Sequence, residues 1–134
     1  MIVIDSSALV AIVNREPERV SFLYAIAGAD SCFISTVSLL ETHMVVRGRF
    51  GVDGLRDLAA LIAEIAPEVI PFDTSQCDAA FDAFERYGKG LGTAAKLNLG
   101  DCASYALAKT LSVPLLFKGD DFRQTDIIAA ATAT

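Results

Sequence analysis

Asp5, Glu41, Asp101, Asp120 and Asp121 are acids set against apolar sequence rather than along a charged face. Asp5 closes the aliphatic run Ile2 to Ile4, and the Asp120/Asp121 pair follows a second run, Val113 to Phe117. Asp101 opens a helical pattern. Glu41 lies among Ser38, Leu39, Leu40 and Met44, where an acid needs a buried partner or a cation. In an open parallel sheet, strand ends and the starts of the following helices converge on one edge, where ligands bind. Carboxylates gathered there repel one another, so near neutral pH some must be protonated or a cation must neutralise them. An all-oxygen set of this kind suits Mg²⁺ or Mn²⁺. With phosphate bound, such ions activate water for in-line attack and stabilise the leaving oxygen, which is nuclease chemistry.

Each acid taken singly also has a structural explanation. Asp5 and Asp101 suit helix capping, and Asp120 and Asp121 suit an exposed turn. Ser7 and Asn98 are candidates for contact with substrate or metal-bound water, and helix capping would account for them equally. His43, two residues after Glu41, points to another face and reads as a surface or core histidine. Cys32, Cys77 and Cys102 are odd in number and widely spaced, so they are expected to be reduced thiols rather than disulfides or zinc ligands.

Strands and helices alternate along the chain. Ile2 to Asp5 reads as a strand, and Ser6 or Ser7 as the cap of a helix through Ile12 and Val13. Pro17 fits the first turn of a second helix that Gly28 closes. Ser31 to Ile34 is the next strand, and Ser35 or Thr36 caps a helix carrying Glu41 toward Gly48. Asp53 caps a further helix to Ile65, Glu68 to Phe72 forms a third strand, and Asp73 or Thr74 starts a helix through Phe84. Tyr87 to Lys96 (YGKGLGTAAK) is a loop. A helix begins near Asp101, and Val113 to Phe117 is the last strand. This order implies right-handed crossovers and a mainly parallel α/β sheet covered on both faces. Ala129 to Thr134 is a small alanine-threonine tail.

The chain has 134 residues, 53% hydrophobic content and a net charge of -6. That length suits one domain with one core. No apolar run approaches the roughly 20 residues needed to cross a bilayer, and no basic-then-apolar leader opens the chain, so a cytoplasmic protein is expected. The negative charge excludes a protein that coats nucleic acid by positive potential alone. Local binding of RNA is still compatible with the basic groups Arg47, Arg49 and Arg56, and Arg86, Lys89 and Lys96.

Four segments, IVIDSSALVAIV, STVSLLE, LNLGDCASYALA and LLFKGDDFRQTDI, together resemble the PIN-domain family, specifically VapC-type toxins of bacterial toxin-antitoxin pairs. The resemblance covers nearly the whole chain, as a single PIN domain over residues 1–134. It implies an α/β/α sandwich and a Mg²⁺- or Mn²⁺-dependent endoribonuclease acting on RNA. It also implies a homodimer, with the helices before Pro67 as a candidate surface, and neutralisation by a cognate VapB-type antitoxin. Residue by residue, the family's acids fall on Asp5, Glu41 and Asp101, with Ser7 as the accompanying hydroxyl. The fourth acid falls on Asp120 or Asp121.

Rival readings are a phospho-acceptor signalling domain and a PIN-like scaffold that binds RNA or a partner without turnover. The first lacks an acid at the end of its central strand, where Ser31 to Ile34 is followed by Ser35. The complete set of acids weighs against the second.

Overall fold

The computed structural model describes residues 1–131. Strands β1 (Ile2–Ile4), β2 (Cys32–Ser35), β3 (Glu68–Ile70) and β4 (Leu115–Leu116) form one parallel sheet in the order β3-β2-β1-β4. Register is set by pairs such as Val3 with Phe33 and Ile4 with Leu116. Side chains alternate across the sheet, as the period of two requires. Val3 and Leu115 join the cluster under α4 (Thr74–Tyr87) and α5 (Leu99–Leu111). Ile2, Ile4, Ile34 and Leu116 face α1 (Ser6–Val13), α2 (Arg19–Gly28) and α3 (Thr36–Ile65). The result is an α/β/α sandwich, as the alternating pattern predicts.

Several boundaries differ from the sequence reading. The cap of α1 is Asp5, whose carboxylate accepts from the Ser7 amide, and not Ser6 or Ser7. Pro17 precedes α2 rather than opening it, because Arg19 is its first residue. The expected break at Gly48 lies instead at Gly51, which takes φ 67° and ψ -156° inside an otherwise continuous α3. Only glycine tolerates that backbone region, whereas Gly48 has ordinary helical geometry. The bend lays the second half of α3 on α1, with Leu58 packed against Val10 and Val46.

The chain end is tied to the sheet. Leu115 donates its amide to the Ile128 carbonyl and accepts from the Ala130 amide, so Ala129 of the expected tail bridges to the β4 edge. Residues 132–134 of that tail lie outside the described residues. Asp126 accepts from the Tyr105 hydroxyl and from Lys109 Nζ at 3.0 Å, and lies 3.5 Å from Arg86. Burial alone would raise the Asp126 carboxyl, but these partners hold it down at about 2. With Phe122 buried against Phe117, this latch positions the turn carrying Asp121. Among the described residues no helix is long and apolar enough to cross a membrane.

Candidate active site

Three of the singled-out acids meet at the carboxyl edge of the sheet. Asp5 follows β1, Glu41 lies in the second turn of α3, and Asp101 is the third residue of α5. All three line one groove of about 430 Å³, together with Ser6, Ser7, Asn98, Arg49, Glu16 and Lys118.

Asp5 is only 2% exposed, and hydroxyls hold both of its oxygens. Ser104 donates to Oδ1 at 2.5 Å, while the Ser7 hydroxyl and amide donate to Oδ2 at 2.5 and 3.0 Å. Ser104 is in turn hydrogen-bonded to Ser38 at 2.9 Å, and both are fully buried. The Ser7 Oγ also accepts from the Lys118 amide at 3.0 Å, which joins α1 to the end of β4. Its only proton is therefore spent on Asp5, so Ser7 acts here as a positioning residue.

Glu41 accepts from the Ser6 hydroxyl at 2.6 Å. Its carboxylate rests directly on α5. A Cβ built on Gly100 would sit 2.4 Å from Oε1 and 2.5 Å from Oε2, so glycine is what lets Glu41 approach. Asn98 is the cap of α5, accepting from the Asp101 amide at 2.9 Å, while Asp101 Oδ2 accepts from the Asn98 amide at 3.0 Å. This reciprocal box fixes Asp101 at the mouth of the groove. The Asn98 amide group lines the groove while serving as that cap.

Burial raises the Asp101 carboxyl to about 7, the Asn98 amide opposes the shift, and the charges of Asp5, Glu41 and Asp121 add to it. Asp121 thus acts electrically on the cluster. Asp120 does not join it: its side chain is 91% exposed and lies 3.8 Å from Arg123. The nearest lysine offers the acids no relief, because Lys118 pairs with Glu16 and, at 3.2 Å, with Glu18. Glu16 is held below the ordinary carboxylate value chiefly by that hydrogen bond.

The donor set is all oxygen, as Mg²⁺ or Mn²⁺ requires. Glu41 Oε2 and Asp101 Oδ1 have no hydrogen-bond donor among the described residues. As the side chains stand, no three His, Cys, Asp or Glu among the described residues form a set that could hold an ion outright. Serine hydroxyls donate to Asp5 and Glu41, while Asp101 keeps its raised carboxyl through burial and the neighbouring acids.

Sequence reasoning missed Ser6, Ser38, Ser104, Gly100 and Lys118. Ser104 was within reach, since it lies one helical turn beyond Asp101 on the same face. His43 is exposed and bonds the Leu39 carbonyl at 2.9 Å, as a surface residue. All three cysteines are free. The central strand β2 ends in Ser35, which caps α3, so the acid that a phospho-acceptor domain needs there is missing.

The family model described as PIN domain matches residues 2–128. The chain belongs to the PIN-domain family. Within it, the chain is similar to "Ribonuclease VapC" of Mycolicibacterium smegmatis, 47% identical over 127 residues that cover 95% of this chain and 98% of the relative. The fold of this PIN domain is also that of a Mycobacterium tuberculosis VapC20 crystal structure, described as a sarcin-ricin loop cleaving toxin. The TM-score there is 0.79 at 16% identity, covering 98% of this chain and all of the other. A toxin-antitoxin complex from Klebsiella pneumoniae matches with TM-score 0.66 at 17% identity, covering 91% of this chain and 90% of that one.

Proposed function

We propose that this PIN domain is the toxin of a toxin-antitoxin pair, an endoribonuclease that uses Mg²⁺ or Mn²⁺ and is neutralised by a cognate VapB-type antitoxin. The observation that carries the reading is the groove where Asp5, Glu41 and Asp101 meet without a neutralising lysine. Similarity to a protein named as a VapC ribonuclease over nearly its full length supports the substrate class. The Klebsiella neighbour supports an antitoxin partner.

Asp5, Glu41 and Asp101 would hold the ion, with Asp121 as the fourth acid in preference to Asp120, since both are exposed but the Asp121 charge acts on Asp101. When bound, the ion supplies a nucleophile from water at neutral pH and charge stabilisation at the leaving oxygen. The chain's own contribution is positioning. Ser104 and Ser7 fix the Asp5 carboxylate, Ser6 fixes Glu41, and the Asn98 cap fixes Asp101. The α5 N-terminus places its amide dipoles at the same edge, where they favour a phosphate.

The test is incubation of purified protein with total RNA, with and without Mn²⁺. Cleavage is expected only with the ion, and an Asp5→Ala variant should leave the RNA intact. Expression without antitoxin should arrest bacterial growth, and Asp5→Ala should be tolerated. Equal arrest by both proteins would disprove the assignment.

A further inference from the structure

Glu18 stands immediately before α2, and its two oxygens have different fates. Oε2 pairs with Lys118 at 3.2 Å, whereas Oε1 is buried with no hydrogen-bond partner among the described residues. Oε1 is shielded from solvent as the side chain stands, but the Glu18 side chain is 29% exposed and lines a hollow, where its carboxylate meets whatever occupies it. Glu18 lines a hollow of about 430 Å³ with Ser21, Phe22, Phe117 and Arg123. Lys118 and Gly119 line both this hollow and the acid groove, so the two adjoin across one short stretch of backbone. Lys118 spans the boundary, pairing with Glu16 on the groove side and Glu18 on the hollow side.

The chemistry of the hollow divides as a nucleotide does. Phe22 and Phe117 supply an apolar floor for a base face, Arg123 supplies a cation at the rim for a phosphate, and Glu18 supplies one acceptor for a base edge. An RNA strand with one phosphate at the acids must continue away from them, and this hollow shares residues with the groove. A hollow of about 690 Å³ at the opposite edge of the sheet, around Cys32 and Glu68, shares none.

We propose that the hollow bounded by Glu18, Phe117 and Arg123 is a nucleobase subsite for the RNA nucleotide next to the cleaved phosphate, with Glu18 accepting from an exocyclic amino group. This rests on the nuclease reading above. The subsite disfavours uracil, which has no amino group and whose N3–H lies between two carbonyl oxygens that a carboxylate repels. Adenine, cytosine and guanine each present an amino donor.

The experiment is Mn²⁺-dependent cleavage of a short RNA pool randomised around the cut, read by sequencing, with wild type, Glu18→Met and Glu18→Gln. Wild type should favour amino-bearing bases over uracil at one position beside the cut by about tenfold. Glu18→Met, similar in length but without an oxygen acceptor, should abolish that ratio, and Glu18→Gln should restore part of it. A purely structural role would slow cleavage of all sequences alike and leave the ratio intact, which would overturn the subsite while sparing the nuclease reading. Thermal melts show that the variants are folded, and Ser21→Phe, which fills the hollow from α2, should erase the ratio independently. If instead the ratio is unchanged and antitoxin binding is lost, the hollow serves a protein partner and the proposal fails. Wild type that cuts no RNA overturns the nuclease reading and the subsite together.

Discussion

Asp101 carries the charge strain of the groove. Its carboxyl ionises near 3.8 when unperturbed and near 7 in the fold, because of burial and then the neighbouring acids. The folded state therefore binds a proton that the unfolded chain releases between those values. The stability linked to that proton is fully present below about 3.8 and is lost as pH rises toward about 7. In chelator, the wild-type melting temperature should decline across that window, and Asp101→Asn should flatten the decline. A wild-type curve parallel to that of the variant would refute the assignment. Cation and proton compete for the same carboxylate, so Mn²⁺ affinity should increase with pH over the same range, which calorimetric titration can read. Glu41→Gln keeps the shape and removes the charge, so cleavage should drop at least a hundredfold at limiting Mg²⁺ while the fold survives. Near wild-type turnover would make Glu41 structural. Each acid left its own mark in the sequence: Asp5 closes an aliphatic run, Glu41 interrupts an apolar helix face, and Asp101 opens a helical pattern. The hydroxyls that hold them were not legible there: Ser104 and Asp5 are 99 positions apart, and only the fold brings them together.

At the level of elements, two glycines make the site possible. Gly100 lies in the first turn of α5 under the Glu41 carboxylate, and an added methyl group would overlap both oxygens. Ala is favoured over Gly in a helix interior by up to about 1 kcal/mol, so Gly100→Ala should leave the melting temperature nearly unchanged. Activity should nonetheless collapse as Glu41 is displaced. Retained activity with unaltered Mn²⁺ affinity would show that Glu41 need not rest there. Gly51 is the converse case, remote from the groove but essential to the bend of α3. Gly51→Ala should cost about 1 to 3 kcal/mol in urea unfolding, since its backbone region excludes a side chain. A loss below that range would mean the bend can relax. The strand and helix order was legible from periodicity, yet this bend was placed at Gly48, three residues too early. Sequence gives no means of choosing between glycines when the packing of α3 on α1 decides which one turns.

Over the whole molecule, the described surface leaves Leu40 and Met44 of α3 and Leu99 of α5 more than half exposed, at 61%, 65% and 78%. Leu40 and Met44 are one helical turn apart and flank Glu41, while Leu99 is two residues from Asp101. Leu40 and Met44 lie on α3, the helix before Pro67 that the homodimer expectation names, and Leu99 lies across from it at the start of α5. Periodicity reveals that α3 is amphipathic but not which of its apolar residues stay uncovered, because that depends on where α1 and the sheet lie. If a second copy covers this patch, Met44→Glu places a charge in an apolar interface, and burying an unpaired charge there is strongly unfavourable. Sedimentation of wild type at micromolar concentration should give a dimer, and Met44→Glu a monomer with its melting temperature nearly unaltered. His43→Glu supplies the comparison, since His43 is exposed and adjacent in sequence but outside the pair formed by Leu40 and Met44. If His43→Glu dissociates the dimer as fully as Met44→Glu, general repulsion is responsible rather than burial of this patch. If both variants remain dimeric, the contact between copies lies elsewhere, and Leu40 and Met44 are left exposed for antitoxin or RNA.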